Sequence, residues 1–344
     1  MIRPLPSPRR LVLALAACLA AGLAGCSRPA PASLPEDVVA KAPPKIRFKV
    51  DWCPQAEHGG FYQAQAKGFY KDAGIDVDII PGGPGVLVTQ LMLTGNIDIA
   101  VGRSDDIPVL VSKGIPFVIV AVYMERDPQA ILVHEESSVH SFADLNGKSI
   151  MGVQGSNWIE FIKNRYHIDF SLIPLNYGIA QFMADKDFIQ QCFVTNEPYY
   201  VIKNGGHPRT LLMSDSGFRP YRILFTTQGY LKGHEELIRA FIAASLRGWS
   251  DFMNGDPAPG KALIAKSNPN MSNEFMDYSI KAMHDAHIVE GKPEDGERIG
   301  LMTRKRIEEQ VGDLVELKLI PEPIPIEKFT RFDLLPLDLQ RDAK

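Results

Sequence analysis

Ile46-Arg47-Phe48-Lys49-Val50-Asp51-Trp52 runs straight into Cys53-Pro54-Gln55-Ala56-Glu57-His58-Gly59-Gly60-Phe61-Tyr62, and the change of period between the two halves decides the fold class. In the first half, apolar Ile46, Phe48, Val50 and Trp52 alternate with Arg47, Lys49 and Asp51, the period of a strand with one buried face. The second half opens a helix that runs through Phe61, Tyr62, Ala64 and Ala66 and stops at Gly68. Ile75, Val77 and Ile79 then alternate again as a second strand. The unit repeats with a helix near Val86 to Thr94 and a strand from Ile97 to Val101. Phe117 to Val122 is a continuous apolar run, suited to a strand buried on both faces. This is α/β patterning with a mainly parallel sheet.

The alternation restarts after Ala130. Ile131 to Val133, Ser149 to Val153, a helix from Asn157 to Arg165, and Phe193-Val194 predict a second, smaller lobe. Arg222 to Thr227 reads as a strand that leads into long amphipathic helices. Leu237, Phe241, Trp249 and Phe252 share one apolar face, and Phe275, Met276, Ile280 and Met283 share another.

Residues 1–25 have the pattern of an export signal: Arg3, Arg9 and Arg10 precede an apolar run from Leu11 to Leu19 that is too short to span a bilayer. Leu23-Ala24-Gly25-Cys26 resembles the lipobox of bacterial lipoproteins, which implies a lipid anchor on Cys26. Residues 26–45 carry Pro29, Pro31, Pro35, Pro43 and Pro44 among alanine and serine, the composition of a semi-extended stalk. Removing the three arginines of the signal takes the formal net charge from −4 to −7. A mildly acidic body offers no basic patch for nucleic acid. Cys53 and Cys192 are then the only cysteines free to bridge, and nothing in the sequence brings them within bonding reach, which favours two thiols.

Catalytic patterns fail on inspection. Gly147-Lys148-Ser149 looks like the end of a phosphate-binding loop, but Phe142 stands where that loop needs glycine. His284 and His287 lack a third ligand nearby. Gly82-Gly83-Pro84-Gly85 could offer backbone amides to an anion, but a tight turn after the second strand explains it as well. No cofactor is implied.

The segment Asp51 to Tyr62 lies at the carboxyl end of the first strand, where open α/β sheets bind ligands. It resembles the periplasmic binding proteins of the sulfonate, nitrate and thiamine-precursor group, in particular the thiamine-pyrimidine-synthase-like branch. Ala66-Lys67-Gly68-Phe69-Tyr70, Gly74-Ile75-Asp76-Val77, Gly95-Asn96-Ile97-Asp98, Asp144-Leu145-Asn146-Gly147-Lys148 and Thr195-Asn196-Glu197-Pro198-Tyr199 carry the likeness further along the chain. It implies the type-2 periplasmic binding protein fold, α/β with two lobes, each a mainly parallel sheet flanked by helices. The expected lobes are 46–125 with 225–320, and 126–224, joined by crossings near Tyr123 to Pro128 and Tyr221 to Thr226, with 321–344 as a C-terminal tail.

By the same resemblance, Trp52 would stack on a ring, and His58 and Glu197 would read its edge from the two lobes. Arg103, Ser104 and Asp105 after the third strand, and Ser156, Asn157 and Trp158 at a helix start, occupy cleft-loop positions. Tyr62, Tyr177 and Asn196 complete the candidate ligand-binding set. The implied function is a non-enzymatic, monomeric substrate-binding lipoprotein on the periplasmic or outer side of a membrane. Its partners would be an ABC permease with its ATPase, and its ligand a thiamine-precursor-like pyrimidine or another heteroaromatic. Riboflavin, a sulfonate or another small molecule is the alternative ligand. Eukaryotic relatives make the thiamine pyrimidine with a histidine near this position and a cysteine-rich segment. That segment is missing here, since only Cys192 lies between the Gly155 loop and the C-terminus. A lipid-anchored sensor subunit is compatible with the same residues.

Overall fold

The computed structural model describes residues 42–343; the signal, Cys26 and nearly all of the stalk lie outside them. Ten strands form two five-stranded sheets. The first contains β1 (Lys45–Lys49), β2 (Asp76–Ile80), β3 (Ile99–Arg103), β4 (Phe117–Met124) and β10 (Arg222–Thr227), in the order β2-β1-β3-β10-β4. The second contains β5 (Gln129–His134), β6 (Ser149–Gly152), β7 (Ser171–Pro174), β8 (Ile189–Phe193) and β9 (Pro208–Leu212), in the order β7-β6-β8-β5-β9.

Both sheets are mixed by the same device. β10 is antiparallel to its neighbours β3 and β4, and β5 is antiparallel to β8 and β9, while the remaining pairs are parallel. These two reversed strands directly follow the crossings between lobes. The chain leaves the first sheet after Met124 and enters β5 at Gln129, then returns through residues 217–221 to start β10 at Arg222. A reversed strand in each sheet is what two such crossings require.

Six helices matter for the site: α1 (Gly59–Ala66), α2 (Asn157–Tyr166), α3 (Glu197–Lys203), α4 (Gln228–Asn254), α5 (Asn273–Asp285) and α6 (Arg304–Glu316). All eight residues of β4 are buried, as its unbroken apolar sequence predicts. Phe241, Trp249 and Phe252 of α4 are buried against the first sheet, where the rings of Phe48, Phe61, Tyr123 and Trp249 interleave. Gly60 and Gly248 allow α1 to lie directly on α4. A Cβ on Gly248 would stand 2.2 Å from the Gly60 carbonyl oxygen, so only glycine fits there. This contact anchors the helix that follows the Asp51–His58 loop.

The end of the chain is built into the first lobe, although its proline-broken sequence reads as a tail. Phe329 is fully buried with Ile326, Leu334, Leu335 and Leu339 in the first core. Its carbonyl accepts from Ile119 N at 2.7 Å and Arg331 N donates to Ile119 O at 3.0 Å, which covers the outer edge of β4. The second lobe has its own core around Ile131, Ile150, Trp158, Ile162 and Phe170.

Candidate functional site

Asp51 leaves the end of β1 at the carboxyl edge of the parallel strands and is followed by the single 3-10 turn Ala56–His58 that feeds α1. His58 is 1% exposed, and its Nε2 lies 3.1 Å from Asp51 Oδ1. The other Asp51 oxygen accepts from Arg222, the first residue of β10. Burial pushes the Asp51 carboxyl up, but the charge of Arg222 and the contact with His58 more than offset it and hold it well below the usual carboxylate range. Arg222 also donates from Nε to Tyr123 Oη at 3.1 Å and lies 3.7 Å from Asp127 in the first crossing.

Arg103, at the end of β3, continues this chain of charge. Its guanidinium forks onto both oxygens of Asp105 at 3.1 and 2.8 Å, reaches Gln129 Oε1 at 3.0 Å, and lies 3.8 Å from Asp127. The second lobe joins through Asn157 at the start of α2. Its Nδ2 donates to Asp105 Oδ2 at 2.9 Å and lies 3.2 Å from Asp106 Oδ1. One connected network therefore runs from the loop after β1, past both crossings, to the opposite lobe.

Two further contacts bridge the lobes. Trp52 and Tyr177 face each other with ring centroids 5.0 Å apart and planes tilted by 37°. Tyr177, in the loop after β7, is half exposed and holds a left-handed backbone, φ 60°. Elsewhere Glu57 accepts a hydrogen bond from Thr195 Oγ1 of the second lobe. Glu197, two residues on, opens α3 and accepts from Phe193 N at 2.8 Å.

Trp52, His58, Arg103, Asp105, Asn157, Tyr177 and Glu197 thus lie along the facing edges of the lobes. The other candidates have different surroundings. Tyr62 is buried among Tyr199, Ile264, Phe275 and Met276, and burial pushes its phenol up to about 12. Trp158 is fully buried on Phe170 in the second core; it is one residue past Asn157, and a 100° step on a helix carries it to the inner face. Ser104 Oγ donates to Gln310 Oε1 at 2.6 Å and accepts from Tyr221 N at 2.8 Å, so it ties α6 to the second crossing. Ser156 and Asn196 precede α2 and α3 as N-caps whose side chains make no capping bond.

Sequence reasoning passed over Asp51, Glu57, Asp106, Asp127, Gln129 and Arg222. One signal was available: charged residues at the ends of otherwise apolar segments, Asp127 ahead of β5 and Arg222 opening β10, are costly to bury without partners. Cys53 and Cys192 are both free thiols.

The chain is 26% identical over 239 residues to the formylaminopyrimidine-binding protein of Halalkalibacterium halodurans, covering 65% of this chain and 72% of that one. It is 24% identical over 251 residues to the 4-amino-5-hydroxymethyl-2-methylpyrimidine phosphate synthase THI11 of Saccharomyces cerevisiae, covering 67% and 73%. The fold matches that of the alkanesulfonate-binding protein SsuA of Xanthomonas axonopodis pv. citri bound to MOPS, with a TM-score of 0.62 at 14% identity over 85% of this chain and 99% of that one. The two mixed, helix-flanked sheets have the generic periplasmic binding protein structural fold. The NMT1/THI5-like family model matches residues 55–258, a span from the loop after β1 through both crossings to α4 and beyond, and the chain belongs to that family.

Proposed function

We propose that this protein is the ligand-capturing, non-catalytic component of an ABC-type importer, and that its two lobes close on a small nitrogen-rich heteroaromatic of the thiamine-precursor pyrimidine class. The observation that carries this reading is the chemistry of the facing edges. An indole is set beside an excess of hydrogen-bond acceptors: Asp51, Asp105, Asp106, Asp127, Glu57 and Glu197 stand against two guanidiniums, Arg103 and Arg222, both already engaged by aspartates. Such a surface receives N–H donors and repels sulfonate or nitrate. A flat ring suits Trp52, and the name of the Halalkalibacterium relative points to the same ligand class.

A thermal-shift screen of the protein against aminopyrimidines, flavins and alkanesulfonates tests the reading. A ligand at 100 times its dissociation constant adds about 2.7 kcal/mol to stability. Stabilisation by sulfonates alone would overturn the pyrimidine reading. Trp52→Ala removes a stack worth roughly 0.5 to 1.5 kcal/mol plus buried area, so calorimetry should show affinity falling about tenfold or more. Unchanged affinity with the fold intact would return Trp52 to a packing role. The pyrimidine should be recovered chemically unchanged after incubation, as mass spectrometry would show; turnover would replace capture by catalysis.

Membrane attachment through Cys26 belongs to the same proposal. Cys26→Ser is expected to move the protein from the membrane to the soluble fraction, since each buried methylene of an acyl chain contributes roughly 0.8 kcal/mol. A variant that still pellets after carbonate washing would refute lipidation at that residue.

A further inference from the structure

Glu57 is the one charged residue of the first ligand loop that the ion network leaves out. It is 5% exposed, and its hydrogen bond to Thr195 Oγ1 crosses between the lobes. Thr195 is itself held by Ser279 Oγ of α5, which donates to its carbonyl at 2.8 Å. Glu197 approaches from the same second-lobe segment, and its carboxylate receives only Phe193 N at 2.8 Å. Among the described residues neither glutamate has a cation within salt-bridge distance. A third unmatched group adjoins them: His58, 1% exposed, has a buried Nδ1 with no partner.

A buried carboxylate normally collects several donors or a cation, because its charged form is otherwise expensive. Burial, reinforced by the charge of Glu197, raises the Glu57 carboxyl to about 7, while the Thr195 hydroxyl and the more distant Arg222 pull the other way. Burial raises Glu197 as well. The charged groups that set this balance are therefore Glu197 from the second lobe and Arg222 from β10, and the His58–Asp51 pair stands next to Glu57 in the loop.

We propose that Glu57 is a specificity-determining residue: together with Glu197 it receives the N–H donors on the amino-substituted edge of the ligand ring, one carboxylate from each lobe. This rests on the pyrimidine-capture reading above and sharpens it. An exocyclic amine presents two diverging N–H donors in the ring plane, one for each carboxylate, and bonds to ionised acceptors are charge-assisted. A ring without the amine would leave both carboxylates short of donors, and an anion would face two like charges. If Glu57 served only to join the lobes through Thr195, a glutamine would do as well, because its amide oxygen also accepts from a hydroxyl.

The experiment is titration calorimetry on the full chain with 4-amino-5-hydroxymethyl-2-methylpyrimidine and with the matched ring lacking the amine. The proteins are wild type, Glu57→Gln, Thr195→Val and Trp52→Ala. Glu57→Gln should weaken the aminopyrimidine by about ten- to a hundredfold and leave the amine-free ring nearly unchanged, so that discrimination between them collapses. Thr195→Val should weaken both rings alike. Donors favour the ionised carboxylate, so wild-type affinity should fall as pH drops through about 7, and this dependence should flatten in Glu57→Gln. Wild-type discrimination and an unchanged pH profile in Glu57→Gln, with Trp52→Ala still defective, would reduce Glu57 to a lobe contact and leave the cleft reading standing. Binding of neither ring by wild type would overturn the pyrimidine reading and this assignment together.

Discussion

Replacing Arg222 with methionine is expected to lower the unfolding free energy by about 3–5 kcal/mol, the usual result of removing one partner from a buried ion pair. The guanidinium is 6% exposed and serves two carboxylates, Asp51 in the loop after β1 and Asp127 in the first crossing. Asp127 is 3% exposed and has one oxygen, Oδ2, whose nearest cations are Arg222 and Arg103 at 3.7 and 3.8 Å. A methionine fills much the same volume, so the loss would be electrostatic rather than a cavity. Urea unfolding should show a lower midpoint at constant slope.

The pH dependence carries a second check. In the wild type Asp51 is held below its ordinary value, so its contribution is present at neutral pH and is lost only as pH falls through that depressed value. Without Arg222 the burial of Asp51 is less well offset and its value rises. Acid then relieves the variant before it harms the wild type, and the stability gap should narrow as pH approaches the ordinary carboxylate range, about 4. A gap below about 1 kcal/mol, or one that widens in acid, would show that the network does not hold the hinge. Arg222 also positions Asp51 beside Trp52, so the variant should bind ligand more weakly even where it remains folded.

Local order was easier to read in the chain than the network it supports. The alternation of Ile46, Phe48 and Val50, the apolar run of β4 and the face of Phe241, Trp249 and Phe252 each follow from a period, and all of these residues are buried. Direction is not encoded in a period. β10 runs antiparallel between β3 and β4, yet its apolar composition would suit either orientation. The last residues were opaque for a different reason. Prolines break the spacing of Ile326, Phe329, Leu334, Leu335 and Leu339, so no helical or strand face emerges although all five are in the core.

In the cleft, the loop was legible but not the orientations within it. Gln55 to His58 fit into one tight turn, so neighbouring side chains diverge and sequence does not say which looks across to Thr195. Tyr62 and Trp158 occupy positions where aromatic residues serve a ligand or a core equally well, and burial alone separates the two. Partners such as Asp51 and Arg222, 171 residues apart, meet only once both crossings are made.

Arg306→Met should cost about 3–5 kcal/mol through a second buried network, on a different set of hinge partners. Arg306 projects from α6, is 6% exposed, and grips both crossings at once. Nε and Nη2 donate to Arg219 O at 3.0 and 2.9 Å, Nη2 also reaches Glu125 O, and the guanidinium lies 3.8 Å from the Tyr221 ring. Its Nη1 faces Glu125 Oε2 at 3.5 Å and Glu297 Oε1 at 3.4 Å. Burial drives the Glu125 carboxyl well above its ordinary value, Arg306 offsets part of that and Glu297 adds to it. A carboxyl raised on folding favours the folded state while it is neutral, and that contribution is lost as pH rises through the folded value. Loss of Arg306 raises Glu125 further, so the penalty should grow with pH and shrink in acid. Adding Glu125→Gln to Arg306→Met should then recover part of the loss, because the carboxyl left without its cation is gone. Hydrogen exchange should quicken at residues 125–128 and 217–221 in the single variant, since both crossings lose their common tie. Unaltered exchange there, with no recovery in the double variant, would mean that packing of Tyr221 against α6 holds the hinge without help from the charges.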